Sequence, residues 1–138
     1  MDGSLFFHVN KILFPFFYAR NPQYIPPSGV IRNMNPKKYD VKITAVRQTT
    51  YPDLSAMYEN PITHACAVRE GRVWVSSKGE KPENLCESAW DSMRWFVEEL
   101  AAGRGNFFDG WMKNPMSAMI SCNDGFRPVS FYLEVIED

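Results

Sequence analysis

Two stretches of the chain alternate apolar and polar residues with the period of a half-buried β-strand. They cover residues 38–49 and 129–135, and both predict strands with one face turned inward. Between them, the short apolar runs 66–69 and 72–76 flank Glu70-Gly71, where glycine supplies the positive φ of a tight turn. This pair of runs predicts a β-hairpin. The run 116–122 predicts a further strand, because a turn sequence, Asn-Asp-Gly, follows it.

The pattern changes to a helical one in residues 83–102, where apolar side chains recur every three or four positions. Asn84 and Glu87 have the spacing of a capping box, and Gly103 is placed to end the last turn. Lys81 as cap, with Pro82 as the first helical residue, is the alternative. Both choices of cap put Cys86 near the start of the only long helix. A second, short helical turn is predicted at 53–59.

These elements predict an α+β fold: a small antiparallel or mixed sheet of four to five strands with one long helix packed on one face. Residues 37–138 form this single domain, since 138 residues suffice for one core and not for two. Residues 1–36 are predicted to be an apolar, proline-rich extension. Residues 1–33, which precede Met34, are either an accessory arm or the product of a mis-assigned upstream start.

The extension contains the apolar segment 5–18, which His8, Lys11 and Pro15 interrupt before it reaches the length of a membrane span. A transmembrane segment is therefore not expected, and no cleavage site predicts a signal peptide. Its phenylalanines would form an exposed apolar patch unless they pack against another surface. Packing on a partner or on a second copy in a homodimer is favoured over contact with a membrane surface.

Charge and cysteine content exclude several classes of function. Fifteen basic residues oppose sixteen acidic ones, so a net charge of −1 gives no field that attracts nucleic acid. The three cysteines are an odd number, widely spaced, with no C-x-x-C pair. This argues against a secreted disulfide scaffold and favours the cytoplasm.

The candidate site consists of these cysteines. Cys86 lies in the first helical turn, where free backbone N–H groups favour a thiolate, and Cys66 and Cys122 lie at strand ends that can meet it. Three thiolates hold zinc or three irons of a four-iron cluster, and His64 is a candidate fourth zinc ligand. Alternatively Cys86 is the catalytic thiol of redox chemistry. In the plainest alternative, the three cysteines only fill core space.

The same residues carry a family resemblance. The stretch YDVKITAV, the Cys66 region with its Glu70-Gly71 turn, the PENLC helix entry and the segment SCNDGFRPV follow one another in the order of a family of small microbial proteins of unknown function. The chain resembles that family over about residues 38–137, and its three cysteines fall where the family carries cysteine. It departs from the family at Ala67, where proline is common. The resemblance implies an α+β unit and a cysteine set, and no reaction.

The sequence therefore predicts a small cytoplasmic protein with a three-cysteine site that binds a metal or iron–sulfur cluster, or acts in thiol redox chemistry. Whether it is an enzyme stays open. The alternative is a non-catalytic interaction module, in which the aromatic loop after Gly103 and the N-terminal arm make the contacts. Arg127 as a carboxylate binder and Asp109 as a base are lesser candidates.

Overall fold

The computed structural model describes residues 36–64 and 66–137, which belong to one unit, Asn35–Asp138. Predictions about the N-terminal extension lie outside the described residues. The elements follow the order β1, α1, β2, α2, β3 and β4. Their bounds are Val41–Gln48 (β1), Pro52–Tyr58 (α1), Val73–Ser76 (β2), Glu87–Ala101 (α2), Ser117–Ser121 (β3) and Val129–Val135 (β4).

The four strands form one antiparallel sheet in the order β2-β1-β4-β3. In β1, burial alternates so that Val41, Ile43 and Ala45 are buried while their neighbours are not. The register places Ile43 opposite Trp74 of β2 and Leu133 of β4, which are also buried. Period-two alternation in each strand thus gives the sheet one continuous apolar face.

The buried side of α2 belongs to the same hydrophobic cluster as that face of the sheet. Met93, Val97 and Leu100 are fully buried, at the three- and four-residue spacing that places side chains on one side of a helix. The helix contacts β1, β3 and β4. The predicted α+β class is confirmed, and four strands are present in the described part of the chain.

The C-terminal end of α2 follows a Schellman motif. The N–H of Gly103 donates to the Leu100 carbonyl at 2.9 Å, and that of Arg104 donates to the Glu99 carbonyl at 2.9 Å. Gly103 has φ of +75°, which glycine adopts without strain. The prediction that this glycine ends the helix is confirmed.

The predicted start of α2 is wrong. The helix begins at Glu87 with Cys86 as its N-cap residue, so neither Asn84 nor Lys81 is the cap. Asn84 instead has φ of +59°, a left-handed conformation that turns the chain just before the helix. Leu85, the next residue, is buried at 3% exposed, and the Cys86 side chain makes no capping hydrogen bond.

The predicted hairpin is also wrong. The turn at Glu70-Gly71 exists, but residues 66–69 are not a strand, and β2 pairs with β1 instead. The Gly71 N–H donates to the Ala45 carbonyl at 2.7 Å, and the Ala45 N–H donates to the Arg72 carbonyl at 2.9 Å. The turn is therefore held by a distant strand.

Candidate functional site

One pocket of about 160 Å³ is lined by all three cysteines, and we call it the thiol pocket. It lies at the N-terminal end of α2, where the segment before β2 and the turn between β3 and β4 meet. The cysteines are far apart in the sequence, so only the tertiary fold brings them to one pocket. Its other lining residues are Val68, Ser88, Ala89, Asp124, Val129 and Phe131.

Cys86 is placed by the irregular turn that precedes α2. The buried Leu85 anchors this turn in the core, and the next residue emerges at the helix end with an exposed side chain. The Cys86 carbonyl accepts the first helical hydrogen bond, from the Trp90 N–H at 2.9 Å. The first-turn N–H groups of a helix have no carbonyl partner within it, so this end of the pocket offers hydrogen-bond donors to an anion.

Cys122 is placed by its pairing with Val129, just beyond the ladder between β3 and β4. The Cys122 N–H donates to the Val129 carbonyl at 3.0 Å, and the Val129 N–H donates to the Cys122 Sγ at 3.3 Å. The sulfur therefore replaces a carbonyl as acceptor for a backbone N–H. This half-buried side chain packs against the hydrophobic core.

The β3–β4 turn is fastened to the helix and to α1 by polar contacts. Asn123 donates from Nδ2 to the Ser88 carbonyl at 3.2 Å, joining the turn to the first turn of α2. Arg127 donates to a carboxylate oxygen of Asp124 at 3.1 Å and to Glu59, the C-cap residue of α1. These contacts fix the turn that follows Cys122.

Asp124 is held ionised by this arrangement. Burial opposes its ionisation, but the backbone N–H groups of Phe126 and Arg127 and the Arg127 charge outweigh that effect, so the pKa of Asp124 lies below its usual value. One oxygen of this carboxylate accepts both N–H groups, at 2.9 Å and 3.1 Å. The hydrogen bond to Glu59 raises the pKa of Arg127. Asp124 therefore lines the pocket as a carboxylate whose charge is balanced by Arg127.

Cys66 lies in the irregular segment between α1 and β2, and its side chain is exposed. Val68, which is 9% exposed, holds the segment against the core two residues later. Cys66 is therefore anchored on its C-terminal side, and its own backbone belongs to no helix or strand. Of the three thiols, it is the one least constrained by secondary structure.

The interpretation of the cysteines as core-filling residues is wrong for Cys66 and Cys86, whereas Cys122 packs against the core. Cys66 and Cys86 are exposed, Cys122 is half-buried, and all three are free thiols. Within residues 36–64 and 66–137, no three His, Cys, Asp or Glu side chains are already close enough to hold a metal ion. The residues that line the thiol pocket do not include His64.

The two lesser candidates take other positions. Arg127 forms ion pairs with Glu59 and Asp124 and so holds the turn, and its role as a carboxylate binder stays a prediction. Asp109 is exposed in the loop after α2, and it does not line the thiol pocket.

Sequence reasoning missed other residues of this region. Ser88 and Ala89 line the pocket from the first turn of α2, which starts later than predicted. The alternation places Val129 and Phe131 on the inward face of their strand. The local sequence gives no sign that these two residues lie next to the cysteines. No sequence motif marks Arg72, which lines a neighbouring cavity.

Comparison of the chain with protein-family models, with curated proteins and with solved structures found no match. The resemblance to a three-cysteine family therefore stays a prediction. None of the helices in the described part of the chain has the length and apolar character needed to cross a membrane.

Proposed function

We propose that Cys66, Cys86 and Cys122 together bind a thiophilic metal centre, either a zinc ion or an iron–sulfur cluster. The observation that carries this proposal is that every cysteine of the chain lines the same pocket. Thiolates are preferred ligands of zinc and of iron–sulfur clusters, and three of them leave one coordination position open for water or substrate.

The surroundings of the sulfurs support this proposal. The Val129 N–H already donates to the Cys122 Sγ, and such N–H···S bonds stabilise charge on metal-bound sulfur. The first-turn N–H groups of α2, which have no carbonyl partner within the helix, lie beside Cys86 and favour the negative charge of a thiolate–metal centre. Val68, Ala89 and Phe131 supply an apolar wall that limits access of water.

Binding requires the sulfurs to approach one another from the positions they occupy in this structure. Cys66 supplies most of that movement, because its segment is neither helix nor strand. Cys122 and Cys86 are fixed by the sheet and by the helix start. The role of His64 as a fourth ligand stays a prediction, and His64→Ala tests it directly.

The test is anaerobic purification of the full chain, followed by metal analysis and absorption spectroscopy. A cluster gives absorption at roughly 400 nm, and a zinc site gives stoichiometric zinc without colour. We expect Cys66→Ser, Cys86→Ser and Cys122→Ser each to lose most of the metal. Ser88→Ala is the matched control, since it lines the same pocket without a sulfur and should keep the metal. Wild-type protein that takes up neither zinc nor iron and sulfide on reconstitution contradicts the proposal.

A second candidate function, that of an interaction module, is favoured by an exposed aromatic cluster. Trp95, Phe108 and Trp111 are 45%, 63% and 44% exposed, and edge-to-face contacts connect Phe108 to Trp111. Asp109 and Lys113 flank Trp111, and neither forms an ion pair within the described residues.

We propose a second copy of the chain as the occupant of this surface. In a two-fold symmetric contact, Asp109 of each copy can pair with Lys113 of the other while the rings stack across the axis. Sedimentation of wild-type protein and of Lys113→Asp tests this. The wild type should be dimeric and the variant monomeric, and a wild-type monomer at high concentration rules it out.

A further inference from the structure

A second cavity adjoins the thiol pocket and contains two of its three cysteines. This cleft has a volume of about 440 Å³ and opens to solvent, and both Cys66 and Cys86 line it. Cys122 does not line it. We call it the thiol cleft, and its remaining lining residues are Ala67, Val68, Arg72, Asn84, Leu85 and Glu87. Both thiols are exposed and line the same two cavities, so a molecule bound in the cleft lies against both residues.

Arg72 provides the cleft with an oriented positive charge. Its guanidinium lies 4.7 Å from the centroid of the buried Trp74 ring, which holds the side chain in place. Unlike Arg104 and Arg127, it has no carboxylate partner among the described residues. The acidic residue of the cleft, Glu87, is paired with Lys81 at 2.7 Å. A free guanidinium of this kind is suited to bind the carboxylate of a ligand.

We propose that the thiol cleft binds small disulfides that carry carboxylates, and that Cys86 and Cys66 reduce them by thiol–disulfide exchange. Arg72 binds a carboxylate of the substrate and places its sulfur–sulfur bond beside the two thiols. The residues needed are those of the cleft and not Cys122, so this inference does not rest on the metal site.

The exchange takes place in two steps. The Cys86 thiolate attacks one sulfur of the substrate, a Cys86–substrate disulfide forms, and the first substrate thiolate leaves and takes up a proton. The Cys66 thiolate then attacks the Cys86 Sγ, a Cys66–Cys86 disulfide forms, and the second substrate thiolate leaves and is protonated. Two electrons pass from the protein dithiol to the substrate disulfide, which is the oxidant, and the two protons lost by the cysteines balance those gained.

The assignment of roles follows from position. Cys86 is fixed at the N-terminal end of α2, where backbone N–H groups without a helical partner can hydrogen bond to an anionic sulfur. Cys66 lies in an irregular segment and can move to resolve the mixed disulfide. Once it forms, the Cys66–Cys86 disulfide removes two of the three metal ligands, so exchange and metal binding exclude each other at any moment.

The test uses the full chain, reduced and freed of metal, with glutathione disulfide as the probe. We expect two equivalents of glutathione to be released per chain, and mass spectrometry of peptides to find the Cys66–Cys86 disulfide. Cys66→Ser should stop at a mixed disulfide on Cys86, and Cys86→Ser should release little glutathione. A Cys86→Ser variant that reacts at the wild-type rate, or a wild type that forms no Cys66–Cys86 disulfide, overturns the proposal.

The role of Arg72 is tested by comparing two probes of opposite charge. Arg72→Gln should slow the reaction with glutathione disulfide about tenfold, the loss of one charge-assisted hydrogen bond. It should not slow the reaction with cystamine, a disulfide that carries amines and no carboxylates. Arg72→Lys should recover part of the rate with glutathione disulfide. Equal slowing with both probes indicates a structural effect and overturns the assignment of Arg72.

Cys122→Ser separates this proposal from that of the metal site. It should lose the metal and keep the exchange reaction with glutathione disulfide. If wild-type protein binds no metal but performs the exchange, only the metal proposal fails. If it binds metal through three cysteines but shows no exchange after metal removal, only the present inference fails.

Discussion

At the scale of single residues, Cys122 shows how one sulfur serves both the fold and the site. Its Sγ accepts the Val129 N–H at 3.3 Å, in the position that a carbonyl takes in the regular ladder. Cys122 also lines the thiol pocket. A substitution there therefore affects stability as well as any ligand, and the two effects require separate measurements.

Cys122→Ala removes the acceptor of the Val129 N–H. We expect the free energy of unfolding to fall by about 1 to 2 kcal/mol, because a largely buried donor loses its partner and a half-buried side chain is truncated. Urea denaturation measures this. Ser121→Ala, at the neighbouring exposed position, is the control and should change stability by less than about 0.5 kcal/mol. An equal loss in both variants contradicts a structural role for the sulfur.

Asp124 makes stability depend on pH. The pKa of this group is lowered in the folded protein, so it stabilises the fold fully above its unfolded pKa of about 4 and ceases to do so as the pH falls through the lower folded value. We expect Asp124→Asn to be less stable than wild type at pH 7 by roughly 1 kcal/mol, a low value because the side chain is 29% exposed. Urea titrations between pH 7 and 2.5 should show this difference shrinking below about pH 4. A difference that is constant with pH rules out the carboxylate as its source.

The residues of the site were predictable only in part. The three cysteines could be grouped because each was expected at the end of an element, and the start of a helix and the ends of strands often meet. Arg72 could not be found in this way. Its suitability for binding an anion depends on its contact with the Trp74 ring and on its having no carboxylate partner among the described residues, and both follow from the tertiary structure.

At the scale of elements, local patterns predicted those elements whose signals lie within them. The alternation in β1 and β4 and the helical spacing in α2 arise because each element buries one side, so each pattern can be read from its own residues. The hairpin failed because the partner of β2 is a strand far away in sequence. The capping box failed because the chain makes a left-handed turn at Asn84 and buries Leu85, so that the helix begins only at Glu87.

The C-terminal end of α2 tests how strongly one glycine determines the end of an element. Gly103→Ala introduces a Cβ at φ of +75° and 3.3 Å from the Tyr39 ring. We expect a loss of about 1 to 2 kcal/mol in the free energy of unfolding, since the left-handed conformation is costly for alanine. Thermal denaturation followed by circular dichroism measures it. Gly110→Ala, at φ of +90° with nothing within 4 Å of the added Cβ, is the matched control and should lose less. A larger loss at Gly110 contradicts the contribution of the Tyr39 contact.

At the scale of the whole described unit, the site depends on a core shared by α2 and the sheet. Cys86 belongs to the helix start and Cys122 to the end of β3, and both elements meet at buried residues of a single cluster. The distance between the thiols is therefore set by packing across the core. Loosening that packing should affect the site without touching a cysteine.

Met93→Ala tests this connection, because Met93 is fully buried on the core side of α2. The cavity should lower the free energy of unfolding by about 2 to 5 kcal/mol. Met119→Ala removes the same atoms from an exposed position, 38% accessible on β3, and should cost under about 1 kcal/mol. Urea unfolding followed by tryptophan fluorescence and by circular dichroism should give one coincident transition for each protein, since the helix and the sheet share one core. Separate transitions for the two signals would mean that α2 and the sheet unfold independently, and the thiols they carry could not then be held at a fixed spacing by the core.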